Sequence, residues 1–481
     1  MEIGIRKTFL INTTVTGICF LLTSTAYLAW TYHVVELMEA PAADAVTLIA
    51  AYIFQAAGIG LFSLLLHRRA DLVHRFTYAV FGLHMGSLYL SYLCSSFVLV
   101  LIFGCSMNLL CGWIAGYYLY RLSGATDGSY SAMTLGAGYS AAIFASWLLS
   151  LPGRGVLYHT QIILVICLLL TVAAVVVIHI HVVLEEGQVS GAASSEYVSV
   201  EAGPAETHEE ARESVLKIRL PEEISRRRFL IMAGALIFLL SAVNSCGFSF
   251  PSDDIRNGIS VEFTRLFYAA GLLIAGYAND KNRRYGAACA VVALAVPFFM
   301  LAVSGEPVAR IVFWALSYFA FGFYTIYRII LLSDISREFS LLPLCGFGLL
   351  IGRLGDAVGE AVCLALTGHV LVLAAFAALL FMASMLLFLL IYQILFLPMP
   401  VAKRQRSEQE IFDHFSDSYN LSAREREVLR HLLDRKTNQE IADELCISDG
   451  TVKYHIHNLL QKTNCSNRMK LLAAYSAEQE A

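Results

Sequence analysis

The stretch 421–462, LSAREREVLRHLLDRKTNQEIADELCISDGTVKYHIHNLLQK, carries its own helix boundaries. Ser422-Ala423-Arg424-Glu425 and Thr437-Asn438-Gln439-Glu440 each place a hydroxyl three residues ahead of a glutamate. In that arrangement, the capping box, each side chain satisfies a backbone N–H of the other residue. Behind the first box Val428, Leu429, Leu432 and Leu433 form an apolar stripe; behind the second stand Ile441 and Leu445. Ser448 can cap a third helix, whose Val452, Ile456, Leu459 and Leu460 share one face. A fourth short helix over about 467–475 turns Leu471 and Leu472 inward. Helices two and three, joined by Cys446-Ile447-Ser448, form a helix-turn-helix.

The face of the third helix opposite its apolar stripe holds Gly450, Lys453, Tyr454, His457, Asn458 and Gln461. It offers cationic, hydrogen-bonding and aromatic groups and, at this spacing, no carboxylate, which suits a DNA major groove. Ser448, Thr451 and the helix N-terminus can hold a phosphate. Periodicity alone leaves an ordinary solvated face equally open. The residues Leu421, Arg424, Glu425, Val428, Leu429, Asn438, Glu440, Ile441, Ala442, Leu445, Ser448, Thr451, Val452, Lys453, His455, Asn458, Lys462 and Arg468 closely resemble the LuxR-type (NarL/GerE-like) DNA-binding domain, over about 55 residues. The resemblance implies that the third helix enters the major groove with Lys453, Tyr454 and His457 facing bases. It also implies a homodimer on inverted half-sites, with the last helix pairing. Two positions depart from the pattern: Arg435 stands where a glycine is usual and Thr463 where a leucine is usual. Residues 421–475 hold nine Lys/Arg against seven Asp/Glu, a net +2, so nonspecific DNA affinity should be weak and salt-sensitive.

The remaining four-fifths of the chain is of another kind. Of all 481 residues 57% are apolar and 15% charged, where a soluble domain has about 25% charged. With a mean hydropathy of +0.64, this excludes a disordered chain, a disulfide scaffold and an ordinary soluble enzyme. Twelve segments approach the roughly 20 apolar residues of a membrane span: 9–32, 45–66, 76–94, 96–120, 130–150, 157–183, 228–250, 260–278, 285–304, 308–332, 340–366 and 370–397. With the N-terminus inside, nineteen Lys/Arg fall on the inner side against Arg154, Arg256 and Arg310 outside. That bias predicts a multi-pass protein of a bacterial inner (cytoplasmic) membrane, the lipid bilayer its surroundings and both termini cytoplasmic. The expected organisation is a first six-helix half over 1–184 and a disordered acidic cytoplasmic loop over 185–226. A second six-helix half over 227–398, a linker over 399–420 and the DNA-binding domain over 421–475 follow. The fold class is therefore all-α, with 6+6 membrane helices and a four-helix tail.

Six plus six helices around a long middle loop resemble the major facilitator superfamily. The loop from Gly276 through Asp280 to Arg283 and Arg284 resembles that superfamily's G-x-x-x-D-K/R motif, whose Asp–Arg pairing ties helix ends during conformational change. The first-half counterpart, Leu66–Asp71, lacks the pattern. Ionisable residues inside spans are costly and need partners. The candidates are Glu262, Arg265, Arg328, Arg353, Asp356 and Glu360, and they fit either a ligand cavity between the halves or internal ion pairs. Trp113 lies deep enough to be a stacking platform, whereas Trp30, Trp147 and Trp314 fall where an interfacial aromatic belt is expected. Gly346, Gly348, Gly352, Gly355 and Gly359 suggest close packing of one helix. No nucleotide-binding loop, nucleophile–base arrangement or metal-ligand spacing is present, so neither enzyme activity, cofactor nor metal is expected. The whole architecture resembles membrane-bound LuxR-type regulators. That resemblance implies a transcriptional regulator that senses a small-molecule ligand through its membrane domain and binds promoter DNA through its tail. The alternative is a facilitator-type transporter with a regulatory DNA-binding tail.

Overall fold

The computed structural model describes residues 2–38, 43–125, 130–150, 157, 160–196, 218, 220–221, 224–249, 261–302, 307–396 and 408–480. Among them every regular element is helical. The chain divides into two compact units, Met1–Leu397 and Pro398–Ala481.

The first unit contains α1 (Glu2–Met38), α2 (Ala43–Arg68), α3 (Val73–Leu93), α4 (Phe97–Ala125), α5 (Ser131–Ser150), α6 (Ile162–Glu196), α7 (Arg226–Ser249), α8 (Val261–Lys281), α9 (Arg283–Ala293), α10 (Val296–Ala302), α11 (Pro307–Glu338), α12 (Phe347–Ala365) and α13 (Val370–Phe396). Eight of these are long and apolar enough to cross a bilayer: α1, α2, α4, α5, α6, α7, α11 and α13. The other four expected spans are helical but are not among these eight, and for two of them the reason is visible. The segment 285–304 breaks into α9 and α10 at Leu294 and Ala295, just ahead of Pro297, which can neither donate an N–H nor fit the turn before it. Helix α12 has 19 residues and carries Arg353, Asp356 and Glu360. Residues 185–196, expected at the start of a disordered loop, continue α6 instead, since extending a formed helix costs less than nucleating one. The rest of that loop up to 217 lies outside the described residues.

Helix α5 packs on α8 and α2 on α12, so the two halves of the unit meet along long helix pairs, and within the second half α7 packs on α12. Close approach needs glycine. A methyl on Gly276 of α8 would lie 2.8 Å from Ala132 O of α5, and one on Gly359 of α12 would lie 2.7 Å from Ala242 O of α7. Two of the tryptophans expected in an interfacial belt are core residues. Trp30 is fully buried, its Nε1 donating to Val100 O at 3.2 Å, and Trp314 is buried as well. Apolar side chains such as Leu371, Leu379, Met382 and Leu386 of α13 are instead exposed.

The second unit has α14 (Glu408–Ser418), α15 (Ala423–Leu433), α16 (Asn438–Leu445), α17 (Asp449–Lys462) and α18 (Arg468–Glu480). Both expected capping boxes form. Ser422 N donates to Glu425 Oε2 at 2.7 Å and Thr437 N to Glu440 Oε2 at 2.6 Å, and each hydroxyl accepts from the glutamate's N–H. The expected linker over 399–420 holds a helix: Ile411, Phe412 and Phe415 of α14 are buried with Val428, Leu429, Leu432, Val452, Leu459, Leu471 and Tyr475. Its polar residues hid the periodicity of these three. The last helix also runs past 475, to Glu480. Thr463, in place of the usual leucine, is buried, and its hydroxyl donates to Leu459 O at 2.7 Å.

Arg435 follows α15 with φ +58°, the left-handed region that glycine adopts without cost. For an L-residue that conformation costs about 1–2 kcal/mol, partly offset by the unfolded-state entropy that a glycine would add, about 0.4–1 kcal/mol. Arg435→Gly is therefore expected to stabilise this unit by on the order of 0.5–1 kcal/mol. A higher urea midpoint at unchanged m-value would show it.

Candidate nucleic-acid interface and buried cavity

The DNA-reading candidates sit on α17. Ser448 caps it, accepting from Thr451 N at 3.1 Å, and its hydroxyl lies 2.8 Å from that of Thr451. Lys453, Tyr454, His457 and Gln461 are exposed; Thr451 and Asn458 are half-buried on the same outer side; Val452 and Leu459 point into the core. Tyr454 is 62% exposed, unusual for so large a ring without a partner surface. The turn before α17 is set by Cys446 at φ +51° and by Ile447 N donating to Ala442 O at 3.0 Å.

One residue on this surface escaped the sequence reading. Asp449, in the first turn of α17, pairs with Lys453 across 2.7 Å. The face therefore does carry a carboxylate, and the i,i+4 spacing was the signal that could have revealed it. The pair is exposed, worth about 0.3–0.5 kcal/mol, so a phosphate or a guanine edge can displace the aspartate from the ammonium.

Long cationic side chains fix α17 against the rest. Lys462 donates to Glu425 Oε2 at 2.7 Å and to Asn420 O at 3.0 Å, joining the end of α17 to the capping box of α15. Arg468 donates to Lys436 O at 2.6 Å, tying α18 to the turn after α15. Burial pushes the Glu425 carboxyl up, but bonds from Lys462 and from Ser422 N outweigh it and hold the group below the usual carboxylate range. A depressed folded pKa contributes stability that is complete above the unfolded value, about 4.3, and lost as pH falls through the lower folded value. Lys462→Met is therefore expected to cost about 1 kcal/mol at pH 7, a charge-assisted bond discounted for the partly exposed ammonium. The difference from the unaltered domain should shrink and then vanish as pH falls through the lowered folded value of Glu425, as acid urea titrations would record.

With this geometry in place, the domain can be assigned. Residues 419–474 match the family of bacterial regulatory proteins described as the luxR family. They form a luxR-family helix-turn-helix domain. Similar proteins include the transcriptional regulatory protein DesR of Bacillus subtilis, 37% identical over 70 residues, which are 15% of this chain and 35% of that one. The nitrate/nitrite response regulator protein NarP of Escherichia coli is 43% identical over 63 residues, 13% of this chain and 29% of NarP. The probable transcriptional regulatory protein SgaR of Hyphomicrobium methylovorum is 46% identical over 56 residues, 12% of this chain and 26% of SgaR. The chain thus spans about a third or less of the length of these relatives.

The membrane-type unit contains a second candidate site. A cavity of 220 Å³ opens between helices of both halves, lined by Arg328 and Arg353 among the sequence candidates. Arg328 Nη1 donates to Asp356 Oδ2 at 2.7 Å, both side chains buried. Arg353 reaches the same oxygen only at 3.9 Å and lies 4.8 Å over the ring of Tyr52. Asp356 and Glu360 do not line the cavity. Neither does Trp113, expected as a stacking platform. Its Nε1 donates to Thr77 Oγ1 at 3.3 Å and its ring packs edge-on to Phe62, because Thr77 and Phe62 offer the nearest partners on that side of α4. The side chains of Glu262 and Arg265 lie outside the described residues. The sequence reading missed the tyrosines: Tyr27, Tyr52, Tyr118, Tyr139 and Tyr268 line the cavity, and scattered hydroxyls in apolar helices were the available signal.

The Gly276–Arg284 stretch, expected as a loop, is helical apart from Asn282, and its charged side chains join the two halves. Asp280 accepts from Ala132 N at 3.1 Å and Met133 N at 2.7 Å, the first N–H groups of α5, and pairs with Arg283 at 2.7 Å. Arg283 also pairs with Asp334 at 2.7 Å and donates to Ser131 Oγ at 3.0 Å. Arg284 is exposed, and its N–H donates to Asn282 Oδ1.

Asp449→Asn is expected to tighten nonspecific DNA binding about twofold at fixed salt, the worth of one exposed ion pair. Lys453→Ala should weaken it. Fluorescence anisotropy on labelled duplex would give both values.

Proposed function

We propose that this chain is a one-component, membrane-bound transcriptional regulator. One observation carries the reading: a luxR-family domain presents Lys453, Tyr454 and His457 outward on its third helix, on the same chain as an apolar helical unit with a 220 Å³ cavity lined by two arginines and five tyrosines. In this reading the apolar unit spans a bacterial cytoplasmic membrane in twelve passes arranged six and six, like the major facilitator superfamily, with both termini inside. The inner-side excess of Lys/Arg and the exposed apolar surface of α13 support it. A small molecule that binds one conformation of that unit more tightly than another shifts the populations. It thereby changes the ability of the tail to engage promoter DNA. The Asp280–Arg283–Asp334 cluster ties the halves at one end and is the natural element for such a shift. On DNA the tail works as a homodimer. Met469, 73% exposed on α18, offers apolar surface for pairing.

Genome-wide DNA capture with residues 398–481 fused to a neutral dimeriser tests the regulator reading. A small set of promoters is expected to be enriched, and Lys453→Ala, Tyr454→Ala and His457→Ala should each abolish the enrichment. Equal recovery by the Lys453→Ala form would remove base reading by α17 and, with it, the proposed role.

A further inference from the structure

The cavity wall is electrically unbalanced, and the imbalance specifies a ligand. Two guanidiniums, Arg328 and Arg353, line it, and among the described residues no carboxylate does. Among the described residues the carboxylate paired with them is Asp356, whose Oδ2 lies 2.7 Å from Arg328 and only 3.9 Å from Arg353, while its Oδ1 has no hydrogen-bond partner. Arg328 Nε and Arg353 Nε are buried without a hydrogen-bond partner, and Arg328 is only 3% exposed. The cluster at Asp280, Arg283, Asp334 and Arg337 shows what this unit does elsewhere, matching two cations with two carboxylates. Glu360 stands one turn beyond Asp356, outside the cavity lining. A surplus cation buried among apolar helices is costly unless an anion meets it, and a guanidinium's planar fork fits a carboxylate in two parallel bonds.

Seven of the other lining residues are aromatic. Phe20 and Tyr139 stack at 3.9 Å, Tyr268 and Phe321 at 4.8 Å, and Tyr52 lies beneath Arg353. At 220 Å³ the space falls below the ~300–1,000 Å³ of pockets that hold drug-sized molecules. We infer that the ligand is a small aromatic monocarboxylate, its carboxylate held by Arg353 with Arg328 behind it and its single ring among the tyrosines. This rests on the reading of the membrane-type unit as a ligand sensor and names the chemistry of that sensor. An aromatic amine would meet the surplus positive charge, and a neutral isostere would leave it unmatched.

The test uses the full chain in phosphatidylcholine nanodiscs, with binding followed by intrinsic fluorescence and by the shift in melting temperature. The probes are benzoate, phenylacetate and 3-phenylpropionate, set against phenylacetamide, phenethylamine and acetate. At least one aromatic carboxylate should saturate on the order of tenfold tighter than its amide and amine counterparts. Arg353→Gln should remove that preference and Arg353→Lys keep part of it. Equal or tighter binding of the amide or amine, an unchanged preference in Arg353→Gln, or no saturation by any of the three carboxylates would overturn the assignment. The comparison on the unaltered chain decides by itself should Arg353→Gln fail to fold. Promoter output measured in cells given the same probes separates the two readings. A carboxylate that binds without changing output leaves the ligand class standing and removes the sensor role. An amine or amide that changes output does the reverse.

Discussion

Arg283 is a buried cation held between two carboxylates, Asp280 and Asp334, each 2.7 Å away, and much of the larger unit is arranged around it. A guanidinium among apolar helices is tolerable only when its donors are met, and here they are met from three helices at once: α8, α11 and, through Ser131, α5. Asp280 in turn satisfies two N–H groups at the start of α5, which no residue inside that helix could do. The close crossing of α5 and α8 places these groups together. A side chain larger than glycine at Gly276 would push α8 off Ala132 and open the cluster. Backbone approach, helix-end satisfaction and charge pairing are thus one constraint seen three ways.

The second unit obeys the same rule with water nearby. Its helices are short, from 8 residues in α16 to 14 in α17, and helices of that length need packing and caps to persist. Capping boxes close two N-termini, and Lys462 and Arg468 clip helix ends that are distant in sequence. With the inward face of α17 fully committed to Val452 and Leu459, Lys453, Tyr454 and His457 are left to point outward. A fixed scaffold bearing a polar, adaptable face is what groove reading requires. The contrast with the cavity is informative. On α17 the charge sits in water and is weak, whereas the Arg328 and Arg353 guanidiniums lie largely out of water, where the proposed ligand would meet them.

The helix-turn-helix was legible residue by residue. Ser422, Thr437 and Ser448 announce their helices because capping is local, and the stripe from Val452 to Leu459 assigns the two faces of α17 by spacing alone. The reading slipped where the partner was four residues away on an exposed face, as with Asp449, or where apolar residues were diluted by polar ones, as with Phe412 and Phe415 in a stretch that resembled a linker. In the larger unit, apolar runs located the helices, and among the described residues eight of them are long and apolar enough to cross a bilayer by length and composition alone. Arg353, Asp356 and Glu360 in α12 and the break before Pro297 reduce the length and apolarity that a span needs.

By itself the sequence determined what depends on near neighbours: the helices, their caps, the inward and outward sides of α17, and the presence of buried charges in need of partners. Only the tertiary structure decided which partners those charges find. Arg328 takes Asp356, 28 residues away, and leaves Arg353 to Tyr52, some 300 residues distant in sequence. Trp30 and Trp113 turn into packed cores rather than to an interface or a ligand. The reason is one of range. Capping and periodicity are set within one or two turns of a helix, but the pairing of a charge is settled by whichever helix packs across from it.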